Sequence, residues 1–111
     1  MMKVVSQTSI PGFTPKRGKV RDIYDLGDKL LIVASDRLSA FDVVMKSPIP
    51  CKGAVLTQIS KFWFEYLAGA VENHLISDDV AQFPPVFAAH HDELIGRSML
   101  VKKTRVLPIE C

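Results

Sequence analysis

The segment that most constrains this chain is Lys29-Leu30-Leu31-Ile32-Val33-Ala34, a lysine followed by five apolar residues in a row. Alternate side chains of a strand point to opposite sides of a sheet, so a short run that is apolar at every position suits a strand buried on both faces. Such a strand needs a neighbour along its edges and cover on each side. The residues before it, Lys19 to Leu26, mix β-branched, aromatic and charged side chains in a partly alternating pattern and meet the run across Gly27-Asp28. Glycine reaches φ > 0 without strain and aspartate tolerates it, so the two segments predict a β-hairpin.

The cover is predicted from Ala54 to Ala68, where Leu56, Ile59, Trp63, Tyr66 and Leu67 recur at offsets of three and four. That spacing puts them on one stripe of an α-helix, and the stripe, with Leu56, Ile59 and Trp63 at its centre, is expected to pack on the sheet. Gly69 is a suitable stop. Val43-Val44-Met45 predicts a short strand, and Pro48 and Pro50 make the segment to Gly53 a rigid connector that no ladder can run through. His74 to Ser77 predicts another short strand, Val86 to Leu94 a helical stretch after Pro84-Pro85, and Arg97 to Lys103 and Val106 to Cys111 two further strands. The order predicts an α+β fold, a mainly antiparallel sheet with one packed helix. At 111 residues the chain has the size of one domain, spanning residues 1–111.

Composition narrows the function classes. The two cysteines, Cys51 and Cys111, have neither metal nor redox spacing, so Cys51 reads as an ordinary thiol in a reducing compartment. Nothing approaches the ~20 apolar residues of a membrane span, and the first residues lack a signal peptide's apolar core. A cytoplasmic protein is expected, with no membrane partner. A net charge of +2 is mild, its basic residues are spread out, and Phe62, Trp63 and Phe64 fall in a largely apolar run expected to be core. No nucleic-acid surface is indicated. His90-His91-Asp92 carries metal-ligating residue types, but adjacent helical side chains diverge by about 100° and no third ligand spacing supports them. No metal site is expected there.

Two short segments carry chemistry. No Walker A sequence, dinucleotide-binding glycine fingerprint or nucleophile elbow occurs. Gly18-Lys19-Val20-Arg21, however, sits at the entry to the hairpin, where glycine permits close backbone approach and two alternate cations project the same way. A lysine point charge beside an arginine fork suits a polyphosphate, although charges two apart are also common on solvated strands. Ser35-Asp36-Arg37-Leu38-Ser39-Ala40-Phe41-Asp42 gathers two carboxylates, one guanidinium and two hydroxyls directly after a buried strand. It reads either as a functional loop or as a self-satisfied turn in which Asp36 and Asp42 accept backbone N–H bonds and Arg37 forms a local salt bridge. The last residues run apolar with no polar tail, which predicts a chain cut in mid-strand.

Four ordered blocks, RGKVRDIYDLGDKLLIVASDRLSAFD, KGAVLTQISKFWFEYL, RSMLVKK and VLPIE, together closely resemble the opening of the phosphoribosylaminoimidazole-succinocarboxamide synthase (SAICAR synthetase) family. The likeness extends over nearly the whole chain, and the SDR-x-SAFD form is similar to that of the longer, yeast-like members. What the resemblance implies is an N-terminal lobe like the small nucleotide-binding lobe of kinase-like and ATP-grasp-like enzymes. Gly18, Lys19 and Arg21 would then lie over the ATP phosphates. Lys103 to Glu110 would lie against adenine and ribose, with the backbone around Val106 reading the adenine edge and Glu110 near the sugar. Asp36, Arg37 and Ser39 would line the central cleft, either facing the imidazole substrate or ordering the phosphate loop.

The implied reaction uses ATP, magnesium, L-aspartate and an imidazole carboxylate ribonucleotide. The imidazole carboxylate takes the γ-phosphoryl group, and the aspartate amine displaces phosphate from the resulting acyl phosphate. The family's first signature continues past Glu110 to an arginine and Thr/Ala-Gly-Ser, and its magnesium-associated Asp-x-Lys-apolar-Glu-Phe-Gly segment does not occur in this sequence. The resemblance therefore implies a fragment without full activity, with the magnesium ligands beyond residue 111 and no catalytic residue assigned. Cys51 stands where the family usually has glycine. Two other readings stay open: a non-catalytic nucleotide-binding or scaffold module, and a structural domain with a solvated basic hairpin.

Overall fold

The computed structural model describes residues 3–110. β2 (Arg21–Asp25) and β3 (Lys29–Ala34) form the expected hairpin, with Arg21 opposite Ala34 and Tyr24 opposite Leu31. Gly27 closes it at φ 100°, and its N–H donates to Asp25 Oδ1 at 2.9 Å. The apolar β3 takes the central position expected of it, but only its Leu31 and Val33 side is fully buried, Leu30, Ile32 and Ala34 being half-buried on the other. Its second edge pairs with β7 (Ser98–Lys102), Leu31 opposite Leu100 and Val33 opposite Ser98. β1 (Lys16–Arg17) and β6 (Leu75–Ser77) complete an antiparallel sheet of order β1-β2-β3-β7-β6. β4 (Ser39–Ala40) and β5 (Val43–Val44) make a separate two-stranded ribbon. Its turn holds Phe41 at φ 50° and Asp42 at φ 62°, the left-handed pair that a primed hairpin turn requires.

One face of the sheet is sealed. Tyr24, Leu31, Val33 and Leu100 point there and form a buried cluster with Ile10, Val80, Phe83, Phe87 and Leu94. The cover consists of a 3-10 turn (Val80–Gln82), α2 (Pro85–Ala88) and α3 (His91–Leu94). The helical stretch expected over Val86 to Leu94 is thus two short helices of four residues each. Asp79 starts the 3-10 turn by accepting the Ala81 N–H at 3.0 Å, and Pro85 starts α2 where a missing N–H costs nothing. The rings of Tyr24 and Phe87 meet edge to face at 5.3 Å.

The other face carries α1 (Lys52–Tyr66), close to the predicted helix but turned differently. The expected apolar stripe does not pack on the sheet: Leu56, Ile59 and Trp63 are each about half exposed. The buried residues are Gly53, Ala54 and Thr57. Gly53 lies so close to β3 that an added Cβ would sit 2.0 Å from the Ala34 carbonyl oxygen, so only glycine fits. Three polar bonds then fix the angle of the helix. Gly53 N–H donates to Asp36 Oδ1 at 2.9 Å, Thr57 Oγ1 to the Arg97 carbonyl at 3.1 Å, and Gln58 Nε2 to the Gly96 carbonyl at 3.0 Å. Docking through small and hydrogen-bonded residues leaves the large stripe rotated outward. Cys51, just before the helix, has φ 67°, a left-handed conformation that favours glycine and gives a physical reason for glycine's being usual there.

A second expectation also fails. The predicted strand Val106 to Cys111 joins no ladder within the described residues, and Cys111 lies outside them. Both edges of β7 are already taken by β3 and β6, and Pro108 has no N–H to offer. Val106, Leu107 and Ile109 are 68–84% exposed. Among the described residues no helix is long and apolar enough to cross a membrane.

Candidate functional site

The connection from β1 to β2 is the tight turn Gly18 to Arg21, closed by the Gly18 N–H donating to the Arg21 carbonyl at 2.8 Å. Every carbonyl of these four residues is held by a donor from the protein. Arg37 supplies most of them: its Nε donates to the Lys19 carbonyl at 3.1 Å, and Nη2 to those of Gly18 at 3.0 Å and Arg21 at 3.1 Å. The Val20 carbonyl accepts the Ser35 N–H at 3.0 Å and Ser35 Oγ at 2.8 Å. Among the described residues, neither the Lys19 nor the Val20 N–H donates to another protein group. Carbonyls drawn inward with N–H groups left outward give a turn the polarity of an anion site.

Arg37 is in turn anchored. Its Nη2 lies 3.0 Å from Asp22 Oδ1, and its Nη1 donates to the Ser6 carbonyl at 2.8 Å. The fully buried Asp22 accepts both the N–H and the hydroxyl of Thr8 through Oδ2, at 2.7 and 2.9 Å. A buried carboxylate survives only when it is paired and hydrogen-bonded in this way.

Beside the turn, between the open face of the sheet and α1, lies a cleft of about 110 Å³. Ile32, Ala34 and Met99 form its floor, Val20 and Arg21 one wall, and Lys52 and Leu56 the other. An apolar floor bordered by cations suits a planar, partly apolar molecule that carries negative charge. The cleft was not legible in the sequence, because it arises from the outward rotation of α1.

Asp36 is fully buried and does something else. Arg97, itself buried, grips it with both nitrogens, Nη1 to Oδ1 at 2.7 Å and Nη2 to Oδ2 at 3.1 Å. The Val5 and Gly53 N–H groups donate to the same carboxylate at 3.0 and 2.9 Å. Burial alone raises the Asp36 pKa, but Arg97 and these two N–H groups outweigh it and hold the carboxyl below its ordinary value. Arg97 also reaches the Ala34 and Lys3 carbonyls, so one ion pair ties the ends of β3, β7 and α1 to the N-terminal segment. Arg97 had no signal in the sequence beyond opening an apolar strand. Within the SDRLSAFD loop, then, Ser35 and Arg37 bear on the turn and Asp36 on the helix start.

The remaining candidates are dispersed. Ser39 is half-buried in β4, and Lys19 pairs with Asp42 across the surface. Lys103 is at the opposite end of β3 from Arg21, about 20 Å away along the strand at ~3.3 Å per residue. Its ammonium bonds Asp25 Oδ2 at 2.7 Å, and this bond, with the Gly27 N–H, holds Asp25 below the usual carboxylate range. Val106 and Glu110 follow on exposed chain outside any strand. The turn and the start of the post-β7 segment therefore lie at two ends of the same sheet.

Comparison with known proteins supplies the context. Curated relatives called phosphoribosylaminoimidazole-succinocarboxamide synthase from Desulfosudis oleivorans and Pelobacter propionicus are 60% and 59% identical over the whole chain. The chain spans 38% of their length. A solved SAICAR synthase from Saccharomyces cerevisiae complexed with SAICAR superposes at a TM-score of 0.73, with 39% identity over 89% of this chain and 36% of that one. A second SAICAR synthase structure gives a TM-score of 0.77 at 40% identity, over 94% of this chain and 38% of that one. The family model described as SAICAR synthetase matches residues 14–111, and the chain belongs to that family.

Proposed function

We propose that this chain is the ATP-facing lobe of a longer purine-biosynthetic ligase of the cytoplasm, one that condenses L-aspartate with 5-amino-1-(5-phosphoribosyl)imidazole-4-carboxylate to give the succinocarboxamide. The observation that carries the proposal is the Gly18 to Arg21 turn. Its four carbonyls are all turned inward onto protein donors, and Lys19 and Arg21 stand beside an apolar cleft. Family membership and the yeast relative's complex with SAICAR support the substrates.

ATP would lie along the open face, in the manner of a kinase-like small lobe. Its phosphates would meet the turn, and its adenine would reach toward the segment from Lys103 to Glu110, where backbone around Val106 would read the base and Glu110 the sugar. An imidazole carboxylate oxygen bonds the γ-phosphorus as ADP leaves. The aspartate nitrogen then bonds the acyl carbon, phosphate departs with the C–O electron pair, and the nitrogen loses a proton. Phosphoryl transfer needs chiefly alignment and charge neutralisation, which Lys19 and Arg21 supply on the nucleotide side. Magnesium accompanies ATP in such chemistry. Among the described residues no three His, Cys, Asp or Glu side chains converge, and magnesium on ATP is held mainly by phosphate oxygens, water and one or two carboxylates.

The test is nucleotide affinity. Each charge-assisted contact contributes roughly 1.5–3 kcal/mol, so Lys19→Ala and Arg21→Ala are each expected to weaken ATP binding by about tenfold or more while leaving the fold intact. Unchanged affinity in both variants would refute the phosphate assignment.

A further inference from the structure

We infer that Arg37 is the positioning residue of the phosphate turn: it shapes the anion site from behind and touches no substrate. The inference rests on the phosphate reading above and assigns the one guanidinium of the SDRLSAFD loop. Its side chain is only 14% exposed: Nε and Nη2 are taken up by the Gly18, Lys19 and Arg21 carbonyls and Asp22 Oδ1, and Nη1 donates to the Ser6 carbonyl with one N–H left over. A guanidinium so occupied has little capacity left for a ligand. What it does instead is orient dipoles. Three of the turn's four carbonyls end on Arg37, and without it the Gly18 and Lys19 oxygens, which no other protein donor among the described residues holds, would be free to rotate toward the phosphates and repel them. Asp22, fixed by Thr8 on its far side, sets the position of Arg37.

Geometry also excludes lysine as a substitute. Three carbonyls of one turn and a carboxylate are reached by a planar fork with five donors, whereas an ammonium is a single point with three. Loss of the fork should therefore damage phosphate binding and spare binding of the base.

The experiment uses the longer ligase that carries this chain, as wild type, Arg37→Met and Arg37→Lys, each verified as folded by circular dichroism at the working temperature. Calorimetry measures affinity for ATP and for adenosine, and NMR follows amide hydrogen exchange from Gly18 to Arg21. Both variants are expected to bind ATP about tenfold or more weaker, with adenosine affinity unchanged and exchange in the turn accelerated. Wild-type ATP affinity with unchanged exchange in either folded variant overturns the inference, as does an equal loss for ATP and adenosine, which would mark a general structural role. Should Arg37→Met not fold, Arg37→Lys carries the same criteria alone. A wild-type chain that binds adenosine but gains nothing from the phosphates refutes the phosphate reading itself, and with it the ligand assigned to Arg37, even where exchange accelerates.

Discussion

The two faces of the sheet are closed by opposite means. One is sealed by side chains: two short helices and a 3-10 turn deliver Val80, Phe83, Phe87 and Leu94 onto Tyr24, Leu31, Val33 and Leu100. The other is bridged by backbone and polar bonds, because α1 meets it through Gly53, Ala54 and Thr57 and through a buried Asp36–Arg97 pair. Large apolar residues on both sides close the first face, whereas on the second Ile32 and Met99 stay only partly covered and floor the cleft. Tight packing excludes everything from a surface, whereas a few polar pins hold a helix in place and leave a cleft beside it. The face held by pins is the one that adjoins the Gly18 to Arg21 turn.

The largest expected effect comes from cutting the pin. Arg97→Ala leaves Asp36 buried without its cation, which typically costs about 3–5 kcal/mol, so chemical denaturation should show a loss of that size. Acid acts on the same pair from the other side. Because the folded Asp36 pKa is depressed, its contribution to stability is fully present above the ordinary aspartate value, about 3.9, and is lost as pH falls through the lower folded value. Asp36→Asn should flatten that part of the stability–pH curve. A wild-type curve equally flat would mean that the pair does not hold the helix.

Phe87→Ala and Trp63→Ala set the two faces against each other directly. Phe87 is fully buried, and its truncation should cost about 3–5 kcal/mol. Trp63 is half exposed on α1, and its truncation should stay within about 0.5 kcal/mol, with solvent-exposed, red-shifted emission in the folded wild type. Equal losses, or blue-shifted Trp63 emission, would restore the inward stripe and remove the contrast.

The central hairpin, β7 and the α+β layout were legible in the sequence because each rests on local rules. A glycine turn and a run apolar on both sides leave few alternatives. The rotation of α1 was not legible, since periodicity says that a helix has an apolar side and nothing of what that side meets. Gly53 and Asp36 decide the matter, and their contact links residues 17 positions apart. The cover of the sealed face escaped for a related reason, as single helical turns have too short a period to read. In the candidate site the cations of the turn could be found by spacing, whereas the separate duties of Asp36 and Arg37, adjacent in sequence, depend on Arg97 and Asp22 and appear only in three dimensions.

The proposed function requires that the open face bind ATP with its phosphates on the Gly18 to Arg21 turn. Titration of the isotopically labelled chain with ATP, followed by two-dimensional amide NMR, tests it most directly. Shifts are expected at Gly18 to Arg21, Ile32, Ala34 and Met99, extending toward Lys103 to Glu110, with the sealed-face residues Phe83, Phe87 and Leu94 unmoved. Shifts centred on the sealed side, or none up to saturating ATP, would contradict it.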